Sequence, residues 1–212
     1  MCIRDSKTTI EGVEFDLLDS TGKNIIKHVK TDKNGKAEIK NLDIGKYILR
    51  ETKTRKEYKI ALEQNITIEW GKTLNLTIEN EKMKGKVKIT KISEDDNLIT
   101  GEVAGTPIAN VKFEIYDDSG KLVDTLITKT DGIAISKDLV VGKYIVKEKE
   151  TGEYYEINEN DFEVEITKNG EVVGLTISNK SKTPPPEKPK EETPKIEVPP
   201  IEPIKKLPVT GY

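Results

Sequence analysis

The 212-residue sequence has one cysteine and one histidine. An internal disulfide is excluded, and a Cys/His metal site lacks the ligands to form. No metal and no cofactor is expected. No stretch approaches the ~20 apolar residues that span a membrane. Charge of one sign is not in excess: Lys+Arg number 35 and Asp+Glu 38, mixed along the chain without a basic patch. Nucleic acid is therefore not an expected partner. No HExxH, GxSxG or Cys–His pair occurs, so no enzyme acting on a substrate is expected. Only 34% of the residues are hydrophobic and another 34% are charged, so any core must be small and periodic.

What the chain does contain is one unit used twice. Gly12-Val13-Glu14-Phe15-Asp16-Leu17 and the turn Ser20-Thr21-Gly22 match Asn110-Val111-Lys112-Phe113-Glu114-Ile115 and Asp118-Ser119-Gly120. Thr31-Asp32 with Gly35 matches Thr130-Asp131-Gly132, and Gly45-Lys46-Tyr47-Ile48-Leu49-Arg50-Glu51 matches Gly142-Lys143-Tyr144-Ile145-Val146-Lys147-Glu148. Asn80 matches Asn179. Apolar residues alternate with polar ones, and turn chemistry recurs about every ten residues. The expected fold is all-β: two tandem antiparallel β-sandwiches over 7–82 and 83–181. The first is expected to be truncated, because no segment before Gly12 resembles the opening strand Val87–Ile92 of the second. Residues 1–6 read as a non-native leader. His28, among Lys27, Val29 and Lys30, reads as a solvated strand residue.

Nine of the ten prolines lie between Pro184 and Pro208, interleaved with Lys and Glu. Such a segment cannot bury enough apolar surface to fold. Residues 182–206 are expected to be a disordered Pro-rich linker, at most ~3.1 Å long per residue.

Strand parity exposes three polar residues in unexpected places. Residues i, i+2 and i+4 of a strand share a face. Val87 and Ile89 then share theirs with Lys91, Tyr144 and Val146 with Glu148, and Val173, Leu175 and Ile177 with Asn179. Burying each alone would cost several kcal/mol. By parity, the three form either a satisfied polar cluster or a reactive one. The first unit repeats Glu51 and Asn80 but has no matching lysine. Lys7, in the loop before Gly12, is not expected to serve.

The ordered set Ile89-Thr90-Lys91, Gly142–Glu148 and Ser178-Asn179 resembles the B-type domain of collagen adhesin and the SpaA-type pilin domain, with Ig-like or prealbumin-like folds. That resemblance implies an intramolecular isopeptide bond between Lys91 and Asn179 with Glu148 as catalyst, a single-turnover self-modification. Glu51 and Asn80 are then vestigial. Leu207-Pro208-Val209-Thr210-Gly211 resembles the LPxTG sorting signal of Gram-positive surface proteins. It implies a sortase as partner and covalent attachment to peptidoglycan or to a pilus subunit. The expected location is the cell wall of a Gram-positive bacterium, after secretion. The expected role is the structural stalk of a wall-anchored protein. The alternatives are an ancillary or basal pilin, and a ligand-binding adhesin module whose host or cell-surface ligand is met by an upstream region. A backbone pilin is not favoured, for no motif resembling YPK occurs. The sequence reads as a fragment, open at both ends.

Overall fold

The computed structural model describes residues 2–5 and 8–184. Lys7, most of the Pro-rich linker and the LPVTG motif lie outside the described residues. No helix occurs among those described. The first unit contains β1 (Cys2–Asp5), β2 (Thr8–Thr9), β3 (Glu14–Asp19), β4 (Ile25–Lys30), β5 (Gly45–Lys53), β6 (Gln64–Ile68) and β7 (Thr77–Glu79). The second contains β8 (Lys84–Ser93), β9 (Lys112–Asp117), β10 (Leu122–Ile127), β11 (Ile133–Ile135), β12 (Leu139–Val140), β13 (Gly142–Glu150), β14 (Asp161–Ile166) and β15 (Val172–Asn179).

Each unit is two sheets. One is four-stranded and antiparallel, ordered β4-β3-β5-β6 in the first unit and β10-β9-β13-β14 in the second. The other sheet carries the first and last strands, which pair in parallel: β1 with β7, and β8 with β15. The alternating apolar faces meet between the sheets, since period-2 strands can bury one face only by stacking it on another. Val87, Ile89, Val111, Phe113, Ile115, Val146 and Ile177 form the centre of the second core, and Val13, Phe15, Leu17, Leu49 and Ile78 that of the first. His28 is exposed on β4, its Nδ1 2.7 Å from Asp16 Oδ1.

Two sequence-based expectations need correction. The first unit does not lack an opening strand. Cys2–Asp5 pairs along β7 with Ile3 opposite Ile78, as Lys91 stands opposite Ile177. A four-residue strand is too short to show alternation, but the backbone groups along β7 need a partner, and β1 supplies it. The residues read as a leader are thus part of the sandwich. The second correction concerns register. Thr31 corresponds to Thr128, not Thr130. Both threonines are buried, and each accepts a backbone N–H through its Oγ1, from Val13 and Val111. Each also donates to a backbone carbonyl, of Ile10 and Ile108. The adjoining turn hid this equivalence by differing in its local residues.

The junction between the units has no slack. Met83 N donates to Glu57 O at 2.8 Å in the first unit, and Met83 O accepts from Val141 N at 3.1 Å in the second. One residue therefore belongs to the hydrogen-bond ladders of both.

Gly132 is held close to the lysine of the second unit. Its φ is +70°, and an added Cβ would stand 2.4 Å from the Lys91 carbonyl oxygen. Gly170 has a similar φ of +78° but open space around it. Gly132→Ala should lower the denaturation midpoint of the second unit by the equivalent of ~2–3 kcal/mol, because strain and clash add. Gly170→Ala should cost about 1 kcal/mol, from strain alone. Equal shifts would mean that the approach to Lys91 carries no energy.

The cores differ in size. Among the described residues fifteen buried apolar side chains form the second and seven the first. Opening strand β8 has ten residues against four in β1. Smaller burial lowers the free energy of local opening. Hydrogen exchange should therefore be less protected in residues 13–80 than in 87–179. Equal protection would show that the short opening strand closes the first unit as well as β8 closes the second.

Candidate cross-link site

Lys91, Glu148 and Asn179 come from three strands. Lys91 is eighth in β8, Glu148 lies near the end of β13, and Asn179 ends β15. Strand parity turns each inward, as read from the sequence, and their exposures are 0%, 5% and 2%. The structure brings all three together. Lys91 Nζ donates to Asn179 Oδ1 and lies 2.9 Å from Glu148 Oε2. The second contact is close but off hydrogen-bond alignment, so Glu148 Oε2 is without a directed donor. Asn179 Nδ2 donates to Glu148 Oε1 at 2.5 Å and to Thr151 Oγ1 at 2.8 Å. The carboxamide is thereby oriented: its oxygen faces the amine and its nitrogen faces the carboxyl.

The environment acts on the amine. Desolvation holds the Lys91 pKa below the ordinary lysine value, partly opposed by the neighbouring Glu148 carboxylate. The amine also stands 5.9 Å from the centre of the Phe113 ring. The backbone on either side of it is fixed. Lys91 N donates to Gly132 O at 2.8 Å, and Lys91 O accepts from Ile108 N at 3.0 Å. An amine whose charged form is disfavoured by burial, held against an oriented carboxamide beside a carboxylate, has the contacts that amide exchange requires.

Sequence reasoning missed Thr151. The pairing of β13 with β9 slips between Glu148 and Glu150, so the face of Thr151 cannot be counted from Glu148 by twos. A signal existed nonetheless: Glu-x-x-Thr recurs as Glu51–Thr54 and Glu148–Thr151.

The first unit holds a related arrangement. Glu51 and Asn80 are both buried. Asn80 Nδ2 donates to Glu51 Oε1 at 2.7 Å, to Glu51 Oε2 at 3.0 Å and to Lys59 O at 2.8 Å. Ala61 N donates to Glu51 Oε2 at 3.0 Å. The register position of Lys91 is taken by Ile3.

Among known proteins, the "Trypsin-resistant surface T6 protein" of Streptococcus pyogenes serotype M6 is 33% identical over 81 residues. That match covers 38% of this chain and 15% of the T6 protein. The solved structure of the Bacillus anthracis TIE protein is similar at a TM-score of 0.71 and 29% identity, over 85% of this chain and 32% of that one. This chain thus spans a third or less of either. The C-terminal fragment of the pilus adhesin SpaC from Lactobacillus rhamnosus GG shares the fold at a TM-score of 0.53 and 14% identity, over 83% of this chain and 91% of the fragment. The SpaA prealbumin-like fold domain matches twice, over residues 4–82 and 85–181, spans that coincide with the two sandwiches. By this match the chain belongs to the SpaA prealbumin-like fold domain family, of which it carries two consecutive members.

Proposed function

We propose that this chain is a structural stalk of a sortase-anchored Gram-positive surface protein, and that its second unit closes itself with an isopeptide bond. One observation carries the bond: Lys91, Glu148 and Asn179 are buried in mutual contact, with the amine on the carboxamide. In the reaction the Lys91 ammonium proton passes to Glu148. The neutral Nζ then attacks Asn179 Cγ. The Nζ–Cγ bond forms and the Cγ–Nδ2 bond breaks. The proton held by Glu148 and a second proton lost from Nζ both pass to Nδ2, which leaves as ammonium, and Glu148 is again a carboxylate. Contact within a fold corresponds to effective molarities of order 10⁵ M or more, and this proximity replaces any need for an external enzyme. The T6 protein, similar over 81 residues, is by its name a surface protein, which supports the location.

The bond also suits a load-bearing role. Tension arriving at Lys84 would run along β8 to Lys91, cross to Asn179 and leave through Lys180. Residues 92–178 would bear none of it. Without the bond, unfolding those residues would pay out on the order of 300 Å of chain. The closed loop of 179 − 91 = 88 residues would add about 4 kcal/mol by analogy with disulfide loop entropy. A second reading, an ancillary or basal pilin, shares the fold and the Pro-rich approach to the LPVTG motif, and differs in being joined to other pilus subunits.

The folded wild-type chain should weigh about 17 Da less than its sequence, the ammonia that proximity expels. Glu148→Ala should keep the fold and the full sequence mass. Lys91→Ala should also keep that chain's full mass, with a lower melting temperature. A folded wild-type chain at full sequence mass would remove the bond. For anchoring, a chain carrying LPVTG should be cut between Thr210 and Gly211 by sortase and joined to an amine nucleophile. Thr210→Ala should abolish both, and joining that survives this change would remove the sorting reading.

A further inference from the structure

The last strand of the second unit leaves one edge of its sheet open. Just before β15, Glu171 O accepts from Lys86 N at 2.8 Å, and at its end Asn179 O accepts from Glu94 N at 2.8 Å. Backbone groups alternate sides along a strand. Glu171, Val173, Leu175, Ile177 and Asn179 therefore turn their N–H and C=O groups towards β8, and Val172, Gly174, Thr176 and Ser178 turn theirs away. Ser178 agrees with this parity, for its O accepts from Asn158 Nδ2 at 3.1 Å, from the loop before β14. Short of that capped position the edge is bare: among the described residues β15 pairs with β8 and with no strand on its other side.

A bare edge is a template for pairing, and charge is the usual guard. β14, at the neighbouring edge of the facing sheet, is guarded by exposed Asp161, Glu163 and Glu165. β15 has no charge in any of its eight residues. Its outward positions Val172, Gly174 and Thr176 are exposed, and nothing stands within 4 Å of where a Gly174 side chain would begin. Its inward Val173 and Leu175 are only partly buried, as is Phe162 on β14, so apolar surface lies beside the open backbone groups. The first unit differs. Counted back from Asn80, Asn75 and the exposed Glu79 take the places of Gly174 and Ser178, and β7 has only three residues.

The three free positions are symmetric about Gly174. An antiparallel strand of the same sequence, centred there, sets Gly174 of one copy opposite Gly174 of the other and Val172 opposite Thr176 on both sides. Each such pair exchanges both of its N–H···O bonds. Val173 then falls opposite Leu175, apolar against apolar. A register shifted by two residues either meets the Asn158 cap on Ser178 or loses a pair.

We propose that the free edge of β15 is a self-pairing surface, on which two copies of this chain join antiparallel about Gly174 and merge their β8-β15 sheets. The contact is isologous, with the same patch on both sides. It is short, so the pair is weak in dilute solution and gains where chains are held side by side. The inference goes beyond the stalk reading and does not depend on the cross-link.

Sedimentation velocity of the wild-type chain from about 10 μM to about 1 mM should show a monomer–dimer equilibrium, as expected of a contact below the standard interface size. Gly174→Lys and Gly174→Glu each set like charges opposite one another, and each should weaken dimerisation about tenfold or more. Mixed in equal amounts they should form a heterodimer, because the twofold sets lysine against glutamate. Gly174→Ser, small and uncharged, should dimerise as wild type does. In the wild-type chain the amides of Val172, Gly174 and Thr176 should gain hydrogen-exchange protection as concentration rises, and those of β14 should not. A wild-type chain still monomeric at about 1 mM overturns the proposal. So does a dimer that survives Gly174→Lys, or a mixture of the two charged variants that stays monomeric, since the contact then lies elsewhere. Exchange at the three amides that does not change with concentration overturns it even if both charged variants unfold.

Discussion

A lysine amine shut away from water is tolerated only while something opposite it shares the charge or takes the proton. In this protein that partner is Glu148, 2.9 Å from Lys91 Nζ, with Asn179 bonded to both. Much of the second unit is arranged to keep these three in place. They come from both sheets, so the sheets cannot slide without separating them. A slip of one residue in any of the three strands would turn its polar side chain out and an exposed one in. Gly132, with a carbonyl on Lys91 N and no room for a side chain, fixes the backbone beneath the amine.

The parallel pairing of first and last strands decides which residues a link at this cluster would bridge. Because β8 and β15 run side by side in the same direction, a residue late in the opening strand lies beside one at the end of the closing strand. An antiparallel pair would have set the start of the chain against its end, and a link there would have spared different residues. The two units are joined through the peptide groups of Met83, so force or strain leaving one ladder enters the next without a flexible spacer. At the far end of the second unit the same clasp recurs: Lys182 N donates to Tyr154 O as Met83 N donates to Glu57 O.

Most of the fold could be read from alternation, and so could the three cluster residues, because strand parity is a local property that burial enforces. The duplication was legible for the same reason: Gly45–Glu51 and Gly142–Glu148 keep their pattern. What escaped depended on long-range pairing or on broken period. The role of Cys2–Asp5 is set by the open edge of β7, seventy residues away, and not by its own composition. Thr151 lies past a slip in the ladder, where counting by twos fails. The equivalence of Thr31 and Thr128 rests on two hydrogen bonds each, and neighbouring threonines at 128 and 130 could not be told apart by sequence.

The most direct test of the central claim is tandem mass spectrometry of the digested second unit. Covalent closure predicts a branched peptide whose fragments join the side chains of Lys91 and Asn179, with no linear peptide carrying a free Lys91 amine. Two separate linear peptides from fully folded protein, each with its side chain intact, would contradict it and leave a buried polar cluster held by hydrogen bonds alone.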